Sequence, residues 1–429
     1  MKIFLDMVGC RLNQAEIDAM AVDLVIRGAK IVSDPQSADT IIVNTCCVTA
    51  KASADSRKML RHYKNKYSAK VVSTGCWVSV ARPEAEEISD LAYLNDQKEL
   101  IPEYLIKSPP DSFLEPNQKP SLGRRQRTRG FVKVQDGCDN ACSYCLTTIA
   151  RGDSFSTTTE DVLGRIALLE KMGSKEVVLT GVQLGSWGKD LDPNQRLHNL
   201  LRSILENSTV PRIRLSSLEP WDIDLELVEL LNHPRVMPHL HIPLQSGSES
   251  ILRAMRRPLR LARFSQILAM IRQVSPQTAI STDIITGFPG ETEPLFEESL
   301  DYIRSCDFSG GHVFSFSPMP GTAASELPDQ VQTATVKART KRLLAYFASQ
   351  QAAYKLKKVG QREPVLFERK KTTPLGSYYT GFSEDYQRVI CFSAEALVNQ
   401  IKGVKIIEMS EKGDLVGRVE TTQTECSSS

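Results

Sequence analysis

The chain has 429 residues, of which 41% are hydrophobic and 24% are charged, and its formal net charge is +2. This length exceeds what one hydrophobic core supports, so we expect two or three domains of an ordinary globular protein. The small net charge excludes a globally basic nucleic-acid-binding protein and confines any such surface to a local patch. No apolar run approaches the roughly 18 residues of a membrane span, so we expect no membrane partner.

The ten cysteines raise the question of disulfide bonds. The opening residues MKIFLDMVGC are apolar but short, include an aspartate and have no cleavage-site pattern. They indicate a first strand rather than a signal peptide. Without a secretory signal, a cytoplasmic protein with metal-ligating cysteines is the better explanation.

Residues 1–107 are predicted to form an open α/β domain. The segments KIFLDMVG, DTIIVNT and KVVSTG are typical of buried parallel strands, and a helical pattern follows each. A cysteine stands at the end of each strand: Cys10, Cys46 and Cys76. Ligand crevices of such sheets lie beyond the carboxyl ends of the strands, so we favour a three-cysteine cluster site there over three small buried apolar residues. Cys47 is expected to face away, because adjacent strand residues point in opposite directions.

Residues 108–128 are predicted to be a linker, because they are rich in Pro, Ser and Arg and have little apolar periodicity. The basic residues at its end are interpreted either as a solvated segment or as phosphate contacts; they are Arg124, Arg125, Arg127 and Arg129.

Residues 129–358 repeat a strand–helix rhythm six times, with strands FVKVQ, EVVLTG, RIRLSS, HLHIPL, AISTDIIT and GHVFSFS. The rhythm predicts a partial (β/α)6 barrel, whose sites lie at the carboxyl ends of the strands. Polar residues gather there, although some could merely cap the following helices; they are Thr180, Gly181, Ser216, Ser217, Glu219, Gln245, Ser246, Asp283 and Ser315.

A long amphipathic helix is predicted over about 330–358. Short strands joined by glycine and charged turns then predict a small all-β barrel over 359–422. The last residues, 423–429, are predicted to be a disordered tail.

The segment GCDNACSYCL carries the strongest chemical pattern, with Cys138, Cys142 and Cys145 spaced three and then two residues apart. Three thiolates on one loop can hold three corners of a 4Fe–4S cube and leave the fourth iron open. A structural zinc site uses four protein ligands, and no fourth Cys or His lies nearby in the sequence on either side. The spacing therefore favours an iron–sulfur cluster over zinc.

This cysteine spacing is similar to that of the radical S-adenosylmethionine (SAM) enzymes. The order of motifs resembles the methylthiotransferase family over essentially the whole chain: VGCRLNQAE, NTCCVTAKA, STGCW, VQDGCDNACSYC, LSSLEP, HLHIPLQSGSESILRAMRR, DIITGFPGET and FSPMPGT. The resemblance implies an N-terminal methylthiotransferase domain with an auxiliary cluster, a radical SAM barrel and a C-terminal RNA-binding TRAM domain. Two departures are Cys47, where the family usually has Thr, and the pair Thr147–Thr148 in place of more apolar residues.

The resemblance also implies the reaction. Two 4Fe–4S clusters and two SAM molecules per turnover would install a methylthio group at C2 of a modified adenosine at tRNA position 37, with a reductant such as flavodoxin or ferredoxin. The motifs look most like the branch that acts on N6-threonylcarbamoyladenosine. Isopentenyl-adenosine, or an aspartate of a ribosomal protein, remains an alternative substrate. An iron–sulfur electron-transfer or carrier protein is the alternative from a different class. We expect a monomer.

The implied site needs no catalytic side chains beyond the cluster ligands. The predicted SAM contacts are Tyr144, Thr180, Gly181, Ser217, Glu219, Gln245 and Ser246. Two basic groups are weaker candidates for RNA contact, because such residues are often only solvated; they are Arg253, Arg256 and Arg257, and Arg369, Lys370 and Lys371.

Overall fold

The computed structural model describes residues 1–107, 128–373 and 376–420. An open α/β unit, a unit of parallel strands and a closed β-barrel follow one another along the chain. The predicted linker, apart from residue 128, and the predicted tail lie outside the described residues. None of the helices in the described ranges combines the length and hydrophobicity needed to cross a bilayer.

The N-terminal unit is a five-stranded parallel sheet with strand order β2-β1-β3-β4-β5. All six residues of the central strand β3 are buried, because helices cover both faces of a parallel sheet. The three strands predicted from apolar runs are present, and the sheet adds two strands of only two residues each. The elements are β1 Lys2–Met7, α1 Arg11–Ile26, β2 Lys30–Ile31, β3 Thr40–Thr45, α2 Ala50–Lys66, β4 Lys70–Gly75, α3 Cys76–Val80, α4 Arg82–Ile88, β5 Leu91–Ala92 and α5 Ile101–Leu105.

The central unit contains the six predicted parallel strands in two triplets, β6-β9-β10 and β11-β12-β13. Single parallel bridges between Ile213 and Val236 and between Ser217 and His241 join the triplets, which gives an open barrel. One large apolar core fills it. The strands are β6 Arg129–Lys133, β7 Gln135–Asp136, β8 Phe155–Ser156, β9 Glu176–Thr180, β10 Arg212–Leu215, β11 His239–His241, β12 Ala279–Thr286 and β13 Gly310–Ser315.

Amphipathic helices surround this barrel. The long helix predicted near 330–358 is α13, and it packs along β13. The helices are α6 Thr147–Arg151, α7 Thr159–Lys171, α8 Leu197–Asn207, α9 Leu225–Leu230, α10 Glu249–Ala254, α11 Leu261–Val274, α12 Glu293–Ser305 and α13 Thr333–Leu356.

The C-terminal unit is a closed barrel with strand order β14-β15-β16-β18-β17, in which β17 pairs back with β14. Closure removes the exposed strand edges that a sheet of this size would otherwise present. Its strands are β14 Arg362–Thr373, β15 Gly376–Ser383, β16 Arg388–Phe392, β17 Ile401–Met409 and β18 Leu415–Val419.

Buried arginines of β10 attach this small barrel to the central unit. Arg214 binds Glu176 at 2.7 Å and donates to the carbonyl of Glu384 at 2.9 Å. Arg212 donates to the carbonyl of Pro364 at 2.9 Å. Because guanidinium groups here satisfy backbone carbonyls that the interface buries, the C-terminal barrel is fixed beside the carboxyl ends of the parallel strands.

Candidate functional site

The loop between β7 and α6 carries Cys138, Cys142 and Cys145, all partly buried. The backbone amide of Asn140 donates to Cys138 Sγ at 3.4 Å, and that of Thr147 donates to Cys145 Sγ at 3.4 Å. Amide donors stabilise thiolates and are among the contacts that tune iron–sulfur clusters. The loop therefore fits a group that is held by deprotonated cysteines.

Gly137 sets the path of the chain into this loop. Its φ is +69°, and a methyl group on it would lie 1.8 Å from the carbonyl oxygen of Asp153. A residue with a side chain would fit neither the backbone conformation nor the available space. Steric constraints therefore require glycine immediately before Cys138.

The structure brings Cys10, Cys46 and Cys76 together at the carboxyl edge of the N-terminal sheet. Cys10 precedes α1, Cys46 follows β3 and Cys76 begins α3 directly after β4. A methyl group on Gly9 would lie 2.8 Å from Cys46 Sγ, so the first two segments are in close contact. Burial, together with the charges of Cys10 and Cys76, raises the pKa of Cys46 to about 12. The crevice predicted from the strand ends therefore contains all three thiols.

The spacing of the sulfurs argues against a mononuclear metal. Thiolates around one zinc ion, at Zn–S distances of about 2.3 Å, lie at most about 4.6 Å apart. Among the described residues, the only group of His, Cys, Asp and Glu whose ligand atoms come within 4.8 Å of one another is His198, Asp224 and Glu226. Neither cysteine set is that compact, which fits a larger, polynuclear group.

Cys47 does not point away from the site as expected. It lies beyond the last residue of β3, where strand alternation no longer applies, and its side chain hydrogen-bonds with that of Cys76. This hydrogen bond, together with the positive charge of Arg151, lowers the pKa of Cys76. Cys47 is thus a thiol neighbour of Cys76, whereas Cys46 lies next to Cys10.

Arg151, at the end of α6, is a site residue that sequence reasoning missed. Its side chain is 3% exposed, and its Nε donates to Cys76 Sγ at 3.1 Å. Its Nη1 donates to Glu16 at 2.8 Å and to Asp136 at 2.7 Å, and its Nη2 donates to Asn13 at 3.1 Å. One guanidinium from the end of the 138–145 loop region therefore contacts the other cysteine set directly. The only available signal was the position of this arginine shortly after Cys145.

Two lysines complete this buried ionic network. Lys98 binds Glu16 at 2.8 Å, and Lys133 binds Asp136 at 3.2 Å. Their positive charges, with that of Arg151, hold the pKa of both carboxyl groups below the ordinary values against the effect of burial. Lys133 also binds the exposed Glu99 at 2.7 Å, so three cations face three carboxylates, and Arg151 contacts the Cys76 thiol directly.

A cavity of about 510 Å³ lies where the three units meet. Cys10 lines it from the N-terminal unit, and Thr180, Gly181 and Ser217 line it from the strand ends of the central barrel. Tyr386 contributes from the C-terminal barrel. Three predicted SAM contacts therefore share a cavity with one predicted ligand of the auxiliary cluster.

The other predicted SAM contacts, Tyr144, Glu219, Gln245 and Ser246, are not part of the wall of this cavity. Tyr144 packs edge-on against Phe288, with ring centroids 6.5 Å apart. Ser246 accepts a hydrogen bond from the amide of Ser248 at 3.2 Å. Gln245 has a φ of 71°, a strained conformation that persists where the surrounding structure demands it and that clusters at functional sites.

Arg257 differs from the expectation that it belongs to an RNA surface. It is 6% exposed, and its Nη2 donates to Glu219 at 2.6 Å and to the carbonyl of Pro243 at 2.8 Å. Its guanidinium also lies 5.0 Å from the ring of Trp221. Because Arg257 is enclosed in the protein, only Arg253 and Arg256 of that group are exposed.

The other basic residues considered for RNA or phosphate contact also include both exposed residues and a residue that is paired within the protein. Arg369, Lys370 and Lys371 are exposed on β14. Arg129, by contrast, forms an ion pair with Glu368 and donates to the Tyr386 hydroxyl at 2.9 Å. The other linker arginines lie outside the described residues.

Comparison with known proteins supports this organisation. Residues 2–94 match the model of the uncharacterized protein family UPF0004, and residues 132–303 match that of the radical SAM superfamily. The threonylcarbamoyladenosine tRNA methylthiotransferase MtaB of Thermotoga maritima is 31% identical, covering 97% of this chain and 96% of that protein. A tRNA-2-methylthio-N(6)-dimethylallyladenosine synthase of Anaplasma marginale is 30% identical, covering 97% of this chain and 96% of that protein.

Solved structures support the fold alone. The radical SAM methyltransferase TsrM from Kitasatospora setae matches with a TM-score of 0.55 at 15% identity, covering 73% of this chain and 72% of that one. The predicted fold class is confirmed, and so is the prediction of a radical SAM enzyme that methylthiolates tRNA. The match to the radical SAM superfamily implies that the protein binds a 4Fe–4S cluster and SAM. The chain belongs to the methylthiotransferase family of radical SAM enzymes.

Proposed function

We propose that the protein installs a methylthio group at C2 of N6-threonylcarbamoyladenosine at position 37 of tRNA, using two 4Fe–4S clusters and two SAM molecules per turnover. The observation that carries the proposal is the cavity whose wall includes both Cys10 and the strand ends at Thr180, Gly181 and Ser217. A two-cluster reaction requires that one substrate carbon be reached from the auxiliary cluster and from SAM, and a cavity lined by Cys10 and by three predicted SAM contacts supports that arrangement.

The C2–H bond of an adenosine is neither acidic nor electrophilic, so positioned acids and bases cannot activate it at neutral pH. When bound, the cluster and SAM supply the one-electron chemistry for removing a hydrogen atom from such a carbon. We assign Cys138, Cys142 and Cys145 to the cluster that binds SAM, and Cys10, Cys46 and Cys76 to the auxiliary cluster. The amides of Asn140 and Thr147 support the thiolates of the first set.

The chain contributes a second property, a direct contact between the regions of the two cysteine sets. Arg151 joins the end of the cluster loop to Cys76 through a guanidinium whose side chain is 3% exposed. Its planar fork of donors matches the carboxylates of Glu16 and Asp136. The network therefore joins the region of the auxiliary thiols to the barrel by direct contacts.

For tRNA, the exposed Arg253, Arg256, Arg369, Lys370 and Lys371 are the proposed phosphate contacts. Affinity should then fall steeply with salt. The target base must also leave its stack to enter the cavity, as bases modified inside enzymes do.

Mass spectrometry of tRNA nucleosides from a deletion strain tests the substrate. Loss of the methylthio derivative of threonylcarbamoyladenosine alone is expected. Loss of the isopentenyl derivative would assign the chain to the other tRNA branch, whose relatives are almost as similar. Iron analysis tests the clusters: about eight irons per chain are expected, and about four that persist after Cys10, Cys46 and Cys76 are changed to Ala would contradict the auxiliary cluster.

A further inference from the structure

The wall of the cavity between the three units carries a cation that has no carboxylate partner. Arg11, the first residue of α1, is partly buried and lines the cavity next to Cys10. Among the described residues, no carboxylate oxygen lies within 4.0 Å of its guanidinium, and no side-chain hydrogen bond involves it. A guanidinium that is removed from bulk water without an anion is costly, which points to a ligand that supplies the negative charge.

The other charged groups of this wall already have partners. Lys355 donates to the carbonyl of Gly413 at 2.7 Å. Arg388 faces Asp414 at 3.5 Å. The one carboxylate in the wall, Asp283, lies 3.1 Å from His241 Nε2. Lys355 also lacks a carboxylate partner, but its ammonium group is occupied by a backbone carbonyl; Arg11 is therefore the cation of the wall with neither an ion pair nor a side-chain hydrogen bond among the described residues, and it is the most available to an anionic ligand.

Aromatic packing holds the Arg11 side chain in place. Its guanidinium lies 5.0 Å from the centre of the Tyr386 ring, within the range of a cation–π contact. The Tyr386 ring stacks on that of Phe382 at 4.8 Å, and its hydroxyl accepts from Arg129 at 2.9 Å. Because the ring is fixed on its other sides, the orientation of Arg11 is set before any ligand arrives.

Two residues of the cavity wall also carry neutral polar atoms without partners in the protein. His239 and Ser216, each 6% exposed, belong to the wall, and His239 Nδ1 and Ser216 Oγ are buried with no hydrogen-bond partner in the protein. Burial holds the pKa of His239 well below its ordinary value, so this ring is neutral. Buried polar atoms in native proteins are normally satisfied, and a ligand with its own donors and acceptors would satisfy these.

We propose that this cavity binds the N6 substituent of the substrate nucleoside, and that Arg11 is a specificity-determining residue that selects a substituent ending in a carboxylate. A threonylcarbamoyl group carries a carboxylate for Arg11, and its hydroxyl and urea could pair with His239 and Ser216. A dimethylallyl group has no polar atom to offer any of them. The inference rests on the proposed function, because it takes the modified adenosine as the ligand.

The test compares kcat/KM for methylthiolation of anticodon stem-loop RNAs by the reconstituted holoenzyme. One RNA carries threonylcarbamoyladenosine, the second its neutral methyl ester and the third isopentenyl-adenosine. The variants are Arg11→Gln and Arg11→Lys, with Arg304→Gln as the matched control, since Arg304 is an exposed arginine on α12 that pairs with Asp301. Formation of 5′-deoxyadenosine without RNA is measured in parallel.

For the acid substrate, Arg11→Gln is expected to lower kcat/KM by about 10- to 100-fold, the range of a lost hydrogen bond between charged groups. The wild-type enzyme should lose a similar factor on the ester, whereas the variant should barely distinguish acid from ester. Arg11→Lys should recover part of the loss, because it keeps the charge but not the bidentate fork. Arg304→Gln should match the wild type, and the RNA-independent reaction should be unchanged in all variants.

The inference is overturned if Arg11→Gln loses the same factor on acid and ester, which would indicate a phosphate or structural role. It is also overturned if the RNA-independent reaction falls in parallel, which would place SAM at Arg11. A wild-type enzyme that acts only on the isopentenyl RNA refutes the proposed function as well. A wild-type preference for the acid that survives in Arg11→Gln refutes the inference alone. If Arg11→Gln fails to fold, the ratio of kcat/KM for the acid and the ester RNA is compared between Arg11→Lys and the wild type. A smaller ratio in Arg11→Lys supports the inference, and an unchanged ratio overturns it.

Discussion

Replacing Arg151 tests whether the ionic network supports the auxiliary cysteine set. Its Nε donates to Cys76 Sγ at 3.1 Å, and its Nη1 lies 2.8 Å from Glu16 and 2.7 Å from Asp136. We expect Arg151→Met to weaken iron binding at Cys10, Cys46 and Cys76, because it removes both a donor to one thiolate and a neighbouring positive charge.

The magnitude follows from the contact that is lost. A hydrogen bond to a charged group contributes about 1.5–3 kcal/mol, and about 1.4 kcal/mol corresponds to a factor of ten. Iron affinity at this set should therefore fall roughly 10- to 150-fold, close to the 10- to 100-fold seen when partners of metal ligands are changed. Arg151→Lys should lose less, because the charge remains although one ammonium group cannot reach every acceptor.

The measurement uses a background in which Cys138, Cys142 and Cys145 are changed to Ala, so that only the auxiliary set binds iron. After reconstitution, iron per chain and its rate of release to a chelator are compared between Arg151→Met and its parent. Arg235→Met is the control. Arg235 is a partly buried arginine that donates to the backbone carbonyls of Val210 and Leu205. Its replacement therefore removes comparable hydrogen bonds without removing a contact to a cysteine.

A destabilised fold would complicate the result, because removing one partner of a buried ionic network costs about 3–5 kcal/mol. Circular dichroism of both variants therefore accompanies the iron measurement. The reasoning is refuted if folded Arg151→Met binds iron as tightly as its parent, or if Arg235→Met loses as much iron.

Three further predictions follow. Gly137→Ala should abolish 5′-deoxyadenosine formation, because the new methyl group would lie 1.8 Å from a backbone oxygen. Gly9→Ala, whose methyl group would lie 2.8 Å from Cys46 Sγ, should retain that product but lose methylthiolation; identical phenotypes would argue against separate roles for the two sets. Cys46→Ser should reduce iron from about eight to about four per chain, whereas Cys47→Ser should not, and the reverse pattern would make Cys47 the ligand. Because burial lowers the pKa of His239 well below 6.5, the unfolded state binds a proton that the folded state does not once the pH falls below 6.5, and the free energy of unfolding then decreases by up to about 1.4 kcal/mol per pH unit. The unfolding midpoint of His239→Asn should thus fall less between pH 6.5 and 5.5 than that of the wild type, and equal falls would contradict the assignment.

Much of the fold could be predicted from local patterns. The apolar runs that became β3 and β4 are buried on both faces, so their hydrophobicity is continuous and easy to recognise. β1 and the six strands of the central unit were found from short apolar runs that alternate with helical patterns. β2 and β5 were missed, because two residues carry no periodicity and these strands exist only through pairing with their neighbours.

The site was predicted less evenly. Strand ends correctly brought Cys10, Cys46 and Cys76 together, because the carboxyl ends of parallel strands meet at one edge. The orientation of Cys47 was wrong, since β3 ends at Thr45 and the alternation of side chains ends with it. Arg257 was assigned to the surface because it lies in a basic run, but its position after α10 turns it inward to Glu219.

The sequence by itself determined the chemistry of this protein, because a cluster loop needs only a short run of cysteines at fixed spacing, which a linear pattern records. The tertiary structure alone decided which charges face those cysteines. Arg151 meets Cys76, and Arg11 meets the ring of Tyr386, through contacts between residues far apart in the chain. Burial increases the free energy associated with such contacts, because a charge that is removed from water is costly unless it has a partner. The sequence was enough to predict which cysteines group together, but the charged residues that surround each thiol could be identified only from the structure.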